Sequence, residues 1–225
     1  MASKDRYAKD YPFAKGWPSV TQILGVKDVG LASWYGYVGN KEANRIKEQA
    51  ALIGHMADEY RDAYFESSNS VIDMRELHDD SKKYFKQVKE NIDKFHDHYK
   101  PERVRTQLVV YSPTKKYIGS FDDIYKIKGK LVLADAKATN RLKKAYEYQV
   151  EAYYRAVNEM MDLKILQIDG EWAKNCLWLT QFPKKEKWQA SKHVLKISPS
   201  IDRYQRGFLT LLTHLYFEKE EKVAK

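Results

Sequence analysis

The run Leu131-Val132-Leu133-Ala134 constrains this chain more than any other stretch. Four consecutive apolar residues without alternation describe a strand covered on both faces. A sheet built around such a strand needs helices packed on either side, which predicts an α/β fold. Asp135-Ala136-Lys137 follow directly. Side chains two apart on a strand share a face, so a carboxylate and an ammonium project together from the end of a buried element. Both are costly to desolvate unless they pair or bind something.

The flanking residues extend the pattern. Tyr117–Ile127 reads as a strand, Lys128-Gly129 as its connection, and Lys130–Lys137 as an antiparallel partner. So short a hairpin places Asp122 beside Asp135. Adjacent carboxylates repel one another and attract a divalent cation. Oxygen ligands select Mg²⁺, with Mn²⁺ as a substitute. On this segment alone, Asp135 and Lys137 read equally as an ordinary ion pair at a strand end. A helix over about 143–160 then carries Gln149 and Tyr153 one turn apart.

Upstream, residues 1–18 form an irregular arm. Ser19 and Gln22 have capping-box spacing. A short helix starting there presents Ser19, Thr21 and free N–H groups to a phosphate. Gly25 and Gly30 mark a loop, and residues 31–35 open another short helix. Residues 41–66 are helical, with Ala43, Ile46, Ala50, Ile53 and Ala57 on the apolar stripe and His55 and Glu59 sharing one patch. A second helix spans 71–99, bent near Asp79-Asp80, with His78, His96 and His98 on its surface; Pro101 ends it. Arg103–Tyr111, Leu163–Ile168, Asn175–Thr180 and His193–Ile197 read as strands, and Asp169-Gly170 as a hairpin-type turn. Ser200–Lys222 closes the chain as an amphipathic helix with Phe208, Leu211, Leu212 and Leu215 facing the core. With no repeat and no linker, residues 1–225 read as one domain: the arm, a helical part over 19–100, a core over 101–180, and a strand with the closing helix over 181–225.

Composition narrows the function. A formal charge of +9 over 225 residues favours a polyanionic partner, nucleic acid first. Lys115, Lys116, Arg141, Lys143 and Lys144 are the candidate phosphate contacts. Trp17, Trp34 and Tyr35 either stack on bases or pack. The single cysteine, Cys176, excludes a disulfide framework, a cysteine zinc site and a four-cysteine iron–sulfur cluster, and reads as a small core residue. No G-x-x-x-x-G-K-[S/T] loop is present, so no ATP-driven motor is expected. No stretch reaches the ~18 apolar residues of a membrane span. Residues 1–10 lack the apolar run of a signal peptide. The expectation is an intracellular protein without a membrane partner, cytoplasmic in a phage or bacterial host, or mitochondrial.

The ordered set His55, Gly119-Ser120-Phe121-Asp122, Asp135-Ala136-Lys137 and Gln149-Val150-Glu151-Ala152-Tyr153 resembles the PD-(D/E)XK nuclease superfamily in its RecB-like branch. Pro18-Ser19-Val20-Thr21 resembles a segment of stand-alone phage-type exonucleases and the mitochondrial genome maintenance exonuclease. The resemblance covers about residues 17–157. One departure is the run Ala51–His55, where the family often has Gly-Thr shortly before the histidine. The resemblance implies a restriction-endonuclease-like core (αβββαβ, a mixed sheet flanked by helices) with an N-terminal helical elaboration. It implies a Mg²⁺-dependent deoxyribonuclease, an exonuclease on DNA ends or single strands, with recombination or replication proteins as candidate partners. A structure-selective endonuclease or junction resolvase, or a non-catalytic binding module, are the alternatives. Asp122, Asp135, His55 and the Ala136 carbonyl would hold the metal, Lys137 would act on the attacking water or the transition-state charge, and Gln149 and Tyr153 would position the strand or the lysine.

Overall fold

The computed structural model describes residues 7–25, 36–66 and 72–223, with only the backbone of 218–223. Trp34, Tyr35 and the expected helix over 31–35 lie outside the described residues. The elements are α1 (Val20–Gly25), α2 (Asn40–Phe65), α3 (Asp79–Tyr99), β1 (Glu102–Thr106), β2 (Val109–Ser112), β3 (Tyr117–Ser120), β4 (Asp123–Ile127), β5 (Lys130–Lys137), α4 (Lys144–Asp162), β6 (Trp172–Gln181), α5 (Ala190–His193), β7 (Val194–Ile197) and α6 (Thr210–Val223), the last preceded by a π-helical segment, Arg203–Leu209. Five strands form a mixed sheet in the order β1-β4-β5-β6-β7, and β2-β3 form a separate hairpin. Within this sheet β5 and β6 run parallel and the other described pairs antiparallel, and α4 makes the crossover between β5 and β6. The architecture is α/β, a mixed sheet flanked by helices.

The unbroken apolar run of β5 is explained by this layering. Leu131 and Leu133 face a core shared with Val150, Tyr153 and Val157 of α4. Val132 and Ala134 face a second core with Ile53 of α2 and Phe85, Val88 and Ile92 of α3. The central strand is covered on both sides, and Asp135 and Lys137 continue the Leu131–Leu133 face. Cys176 is buried in the first core.

Several elements differ from the expectation. Arg103–Tyr111 is not one strand: β1 and β2 belong to different sheets, and Gln107 between them takes a left-handed φ of 44°. Tyr117–Ile127 breaks likewise at Phe121-Asp122. The two breaks face each other, with the Gln107 N–H donating to the Asp122 carbonyl at 2.7 Å and the Phe121 N–H to the Leu108 carbonyl at 3.3 Å. Both chains therefore leave the large sheet at the same level, a long-range event that local alternation does not encode.

Residues 163–168 form no strand, so Asp169-Gly170 is no hairpin turn; the segment loops back to start β6 parallel to β5. The helix expected over 71–99 starts only at Asp79. Ile46 and Ala50, placed on the apolar stripe of α2, are exposed. His96 is a buried core residue rather than a surface one. It stacks on Tyr64 with ring centroids 4.0 Å apart. Burial, with Arg61 and Arg103 nearby, pushes its pKa down to about 3 and keeps it neutral.

Candidate active site

The strand break is what creates the site. Asp122 sits outside both sheets, and its Oδ2 accepts a hydrogen bond from the Ala136 N–H of β5 at 2.7 Å. The antiparallel register, Asp123 opposite Ala134, brings Asp122 level with Asp135 and Ala136. Asp135 is 2% exposed and pairs with the Lys137 ammonium. Burial lifts its carboxyl to about 6; Lys137 pulls the other way, and the charge of Asp122 adds to the rise. Lys137 stays protonated: burial works against its charge, but Asp135 and Asp122 hold its pKa above the usual value.

The α4 wall is the Gln149–Tyr153 pair. The Gln149 amide donates to the Tyr153 hydroxyl at 2.9 Å, and both residues are buried. Tyr153 lies so close to β3 that a Cβ on Gly119 would stand 2.6 Å from its ring. Gly119 is therefore the residue that lets α4 approach the strand leading to Asp122.

The capping box is formed at α1. The Ser19 N–H donates to Gln22 Oε1 at 2.7 Å, and the Gln22 N–H donates to the Ser19 hydroxyl at 3.2 Å. Ser19 also bridges in parallel to Ile118 of β3, which ties α1 to the same edge.

These groups line one open cleft of about 490 Å³. Ser19, Thr21, His55, Asp122, Asp135, Lys137, Gln149 and Tyr153 all contribute to it. His55 and Glu59 stand exposed on its rim. Lys115, Lys116, Arg141, Lys143 and Lys144 do not line it. Lys115 and Lys116 occupy the β2–β3 turn, at the opposite end of β3 from Ser120, while Arg141, Lys143 and Lys144 lie exposed before or at the start of α4. Trp17 packs edge-on against Phe13 and Tyr111, a contact that supports the arm rather than the cleft.

Two residues at the site carry no expectation from the motifs. Asp58 and Arg61 follow His55 by three and six positions on α2 and both line the cleft. Burial lifts Asp58 to about 6 against the pull of Arg61, with Asp122 adding to the rise. Arg61 Nη1 lies 2.9 Å from Asp58 and 3.8 Å from Asp122, and its Nη2 donates to Asp123 at 2.6 Å. Helical spacing of three from His55 was the available signal for Asp58, and the same spacing from Asp58 for Arg61. The partners of Arg61, on a strand sixty residues away, were not in it.

Asp123 faces away from the cleft, as alternation predicts. It is 1% exposed and bound by Arg61, by Arg103 at 2.8 Å and by the Tyr125 hydroxyl at 2.7 Å.

No family model matches the chain, and no curated protein matches it by sequence. A solved structure shares the fold. A protein from Eubacterium rectale, provisionally named an exonuclease, superposes with a TM-score of 0.51 at 13% identity, over 96% of this chain and 84% of that one. The five-stranded mixed sheet with its flanking helices is thus a fold that the two proteins share.

The donor set suits a hard divalent cation. Five carboxylates (Asp58, Glu59, Asp62, Asp122 and Asp135) line the cleft against the permanent cations Arg61 and Lys137. Among the described residues no group of three His, Cys, Asp or Glu side chains is placed to hold one metal ion. An open pair of carboxylates matches Mg²⁺, which retains several of its waters and takes one or two protein carboxylates. Among the described residues, no helix is long and apolar enough to cross a membrane.

Proposed function

We propose that this chain is a divalent-cation-dependent deoxyribonuclease that hydrolyses phosphodiester bonds, working from DNA ends or on single strands. The observation that carries the reading is the convergence of Asp122 and Asp135 with Lys137 in an acidic cleft of a chain whose net charge is +9. A phosphate diester is repelled by such a cleft unless a cation lies between them. The fold's likeness to that of a provisionally named exonuclease supports the same class.

In this reading Asp122 and Asp135 hold Mg²⁺, with His55 and the Ala136 carbonyl as further ligands. When bound, the ion supplies a water of lowered pKa and neutralises charge on the scissile phosphate. Lys137 orients the attacking water or stabilises the charge that develops as the P–O bond breaks. Gln149 and Tyr153, bonded to each other, would position the DNA strand or Lys137. Ser19 and Thr21 meet a backbone phosphate from the α1 side of the cleft.

The test is cleavage of end-labelled linear and covalently closed circular DNA, single- and double-stranded, with Mg²⁺, Mn²⁺ or EDTA. Metal-dependent shortening of linear DNA is expected. Absence of cleavage with either metal overturns the enzyme reading, and cleavage of circles replaces exonuclease by endonuclease.

A further inference from the structure

We propose that a second, smaller cavity beside the cleft is a subsite for one nucleotide unit of the bound strand, held open by Gly54 and walled by the Tyr146 ring. The proposal rests on the nuclease reading and extends it to how the strand is gripped.

The cavity has a volume of about 210 Å³ and shares Asp58, Arg61 and Lys137 with the main cleft. The two spaces therefore adjoin at Asp58, Arg61 and Lys137. A polymer threaded through a hydrolytic site must place a residue on each side of the bond that breaks, and two adjoining spaces give room for both. The smaller space falls below the ~300–1,000 Å³ of drug-sized sites, which suits the base or sugar of one nucleotide unit rather than a larger group.

The lining has the matching chemistry. Ala57, Ala136 and Ala138 keep long side chains out of the space. Tyr146 offers a half-buried ring and already carries the Lys137 ammonium 5.2 Å from its centroid. Aromatic faces stack on any base, with about 1–3 kcal/mol per base, so such a wall grips a strand without reading its sequence. Arg61 is 2% exposed and its Nε–H has no acceptor among the described residues, which leaves a buried donor at the border of the two spaces. Thr139 and Tyr146 both line the cavity, and Arg141, Lys143 and Lys144 lie in the segment between them. That basic segment suits the phosphates of a strand leaving the cavity.

Gly54 is the most telling member. It sits in the interior of α2, where glycine costs about 1 kcal/mol relative to alanine. Packing does not require it: no atom lies within 4 Å of the position its Cβ would occupy. Gly54, Ala57, Asp58 and Arg61 have i, i+3, i+4, i+7 spacing and form the α2 side of the cavity. Helix stability favours a larger residue at this place, and open space beside the catalytic lysine is what glycine provides.

The variants Gly54→Leu, Tyr146→Leu and Tyr146→Phe test this. Each is measured for KM and kcat on a single-stranded oligonucleotide with Mg²⁺, for thermal stability, and for Mn²⁺ binding by electron paramagnetic resonance. Gly54→Leu is expected to raise KM at least tenfold while Tm stays level or rises and Mn²⁺ binding persists. Tyr146→Leu raises KM about fivefold, and Tyr146→Phe recovers most of that loss. A wild-type KM in Gly54→Leu overturns the subsite. So does equal impairment of the two Tyr146 variants, which also decides the matter if Gly54→Leu melts early. If the wild-type protein cleaves nothing, the nuclease reading falls separately, and the subsite is read from fluorescence anisotropy of labelled single-stranded DNA. There, at least tenfold weaker binding by Gly54→Leu supports the subsite and unchanged binding overturns it.

Discussion

Asp122 and Asp123 are neighbours in sequence and belong to two acidic centres of opposite character. Asp123 lies behind the sheet, where Arg61, Arg103 and Tyr125 satisfy it. Asp122 lies in front, in the same cleft as Asp58 and Asp135, with Lys137 in the lining and Arg61 Nη1 at 3.8 Å. The first centre is neutralised and joins α2 to β1 and β4. The second holds an excess of negative charge at the wall of an open cleft. Unbalanced charge beside open space marks a place for a ligand, and balanced charge in the interior marks a structural joint.

The largest effect expected from this contrast is in Asp135→Asn. On the proposed reading, loss of this carboxylate removes several kcal/mol of transition-state stabilisation, about a thousandfold in rate. Stability moves the other way. A carboxyl raised to about 6 in the fold favours the folded state while protonated and loses that contribution as pH rises through 6. Asparagine lacks the loss, so Tm should rise by a few degrees at about pH 7.5 and show no gain near pH 4. A lower Tm at pH 7.5 would make Asp135–Lys137 an ordinary structural pair.

Asp123→Asn should do the reverse. It removes the buried carboxylate that Arg61 and Arg103 share, leaving Arg61 with Asp58 and Arg103 with Asp62, and breaking such a buried pair costs about 3–5 kcal/mol, read from denaturant melts. Stability equal to wild type would dissolve the distinction between the two centres.

A subtler effect concerns protons. If Asp135 is a ligand as proposed, Mn²⁺ affinity of the protein should weaken as pH falls through about 6, because the carboxyl must ionise to bind the ion. Affinity constant down to about pH 5 would remove Asp135 from the ligand set.

The smallest effect separates two basic groups. Lys143→Ala with Lys144→Ala should flatten the salt dependence of single-strand binding by about 0.7 per lost phosphate contact. Lys115→Ala with Lys116→Ala, at the far turn of the hairpin, should leave it unchanged.

The core strand and its two covered faces were legible from Leu131–Ala134, because an unbroken apolar run has one economical packing solution. The capping box at Ser19 was legible because it closes within four residues. The splitting of two long strands at Gln107 and Phe121-Asp122 was not, since each half keeps an acceptable alternation and only mutual pairing shows the break. His96 was misplaced for a related reason. A histidine's burial depends on what covers it, and Tyr64 arrives from another helix.

The sequence by itself determined the faces: Asp135 and Lys137 together on β5, Gln149 and Tyr153 together on α4, and Asp123 turned away from Asp122. Side-chain direction follows from the two- and 3.6-residue periods, which are local. Only the tertiary structure decided what those faces meet. The Arg61–Asp123 contact spans sixty-two residues, and the two adjoining cavities that share Asp58, Arg61 and Lys137 join α2, β5 and α4. Such meetings are set by packing and chain closure over long separations, where no local period carries information.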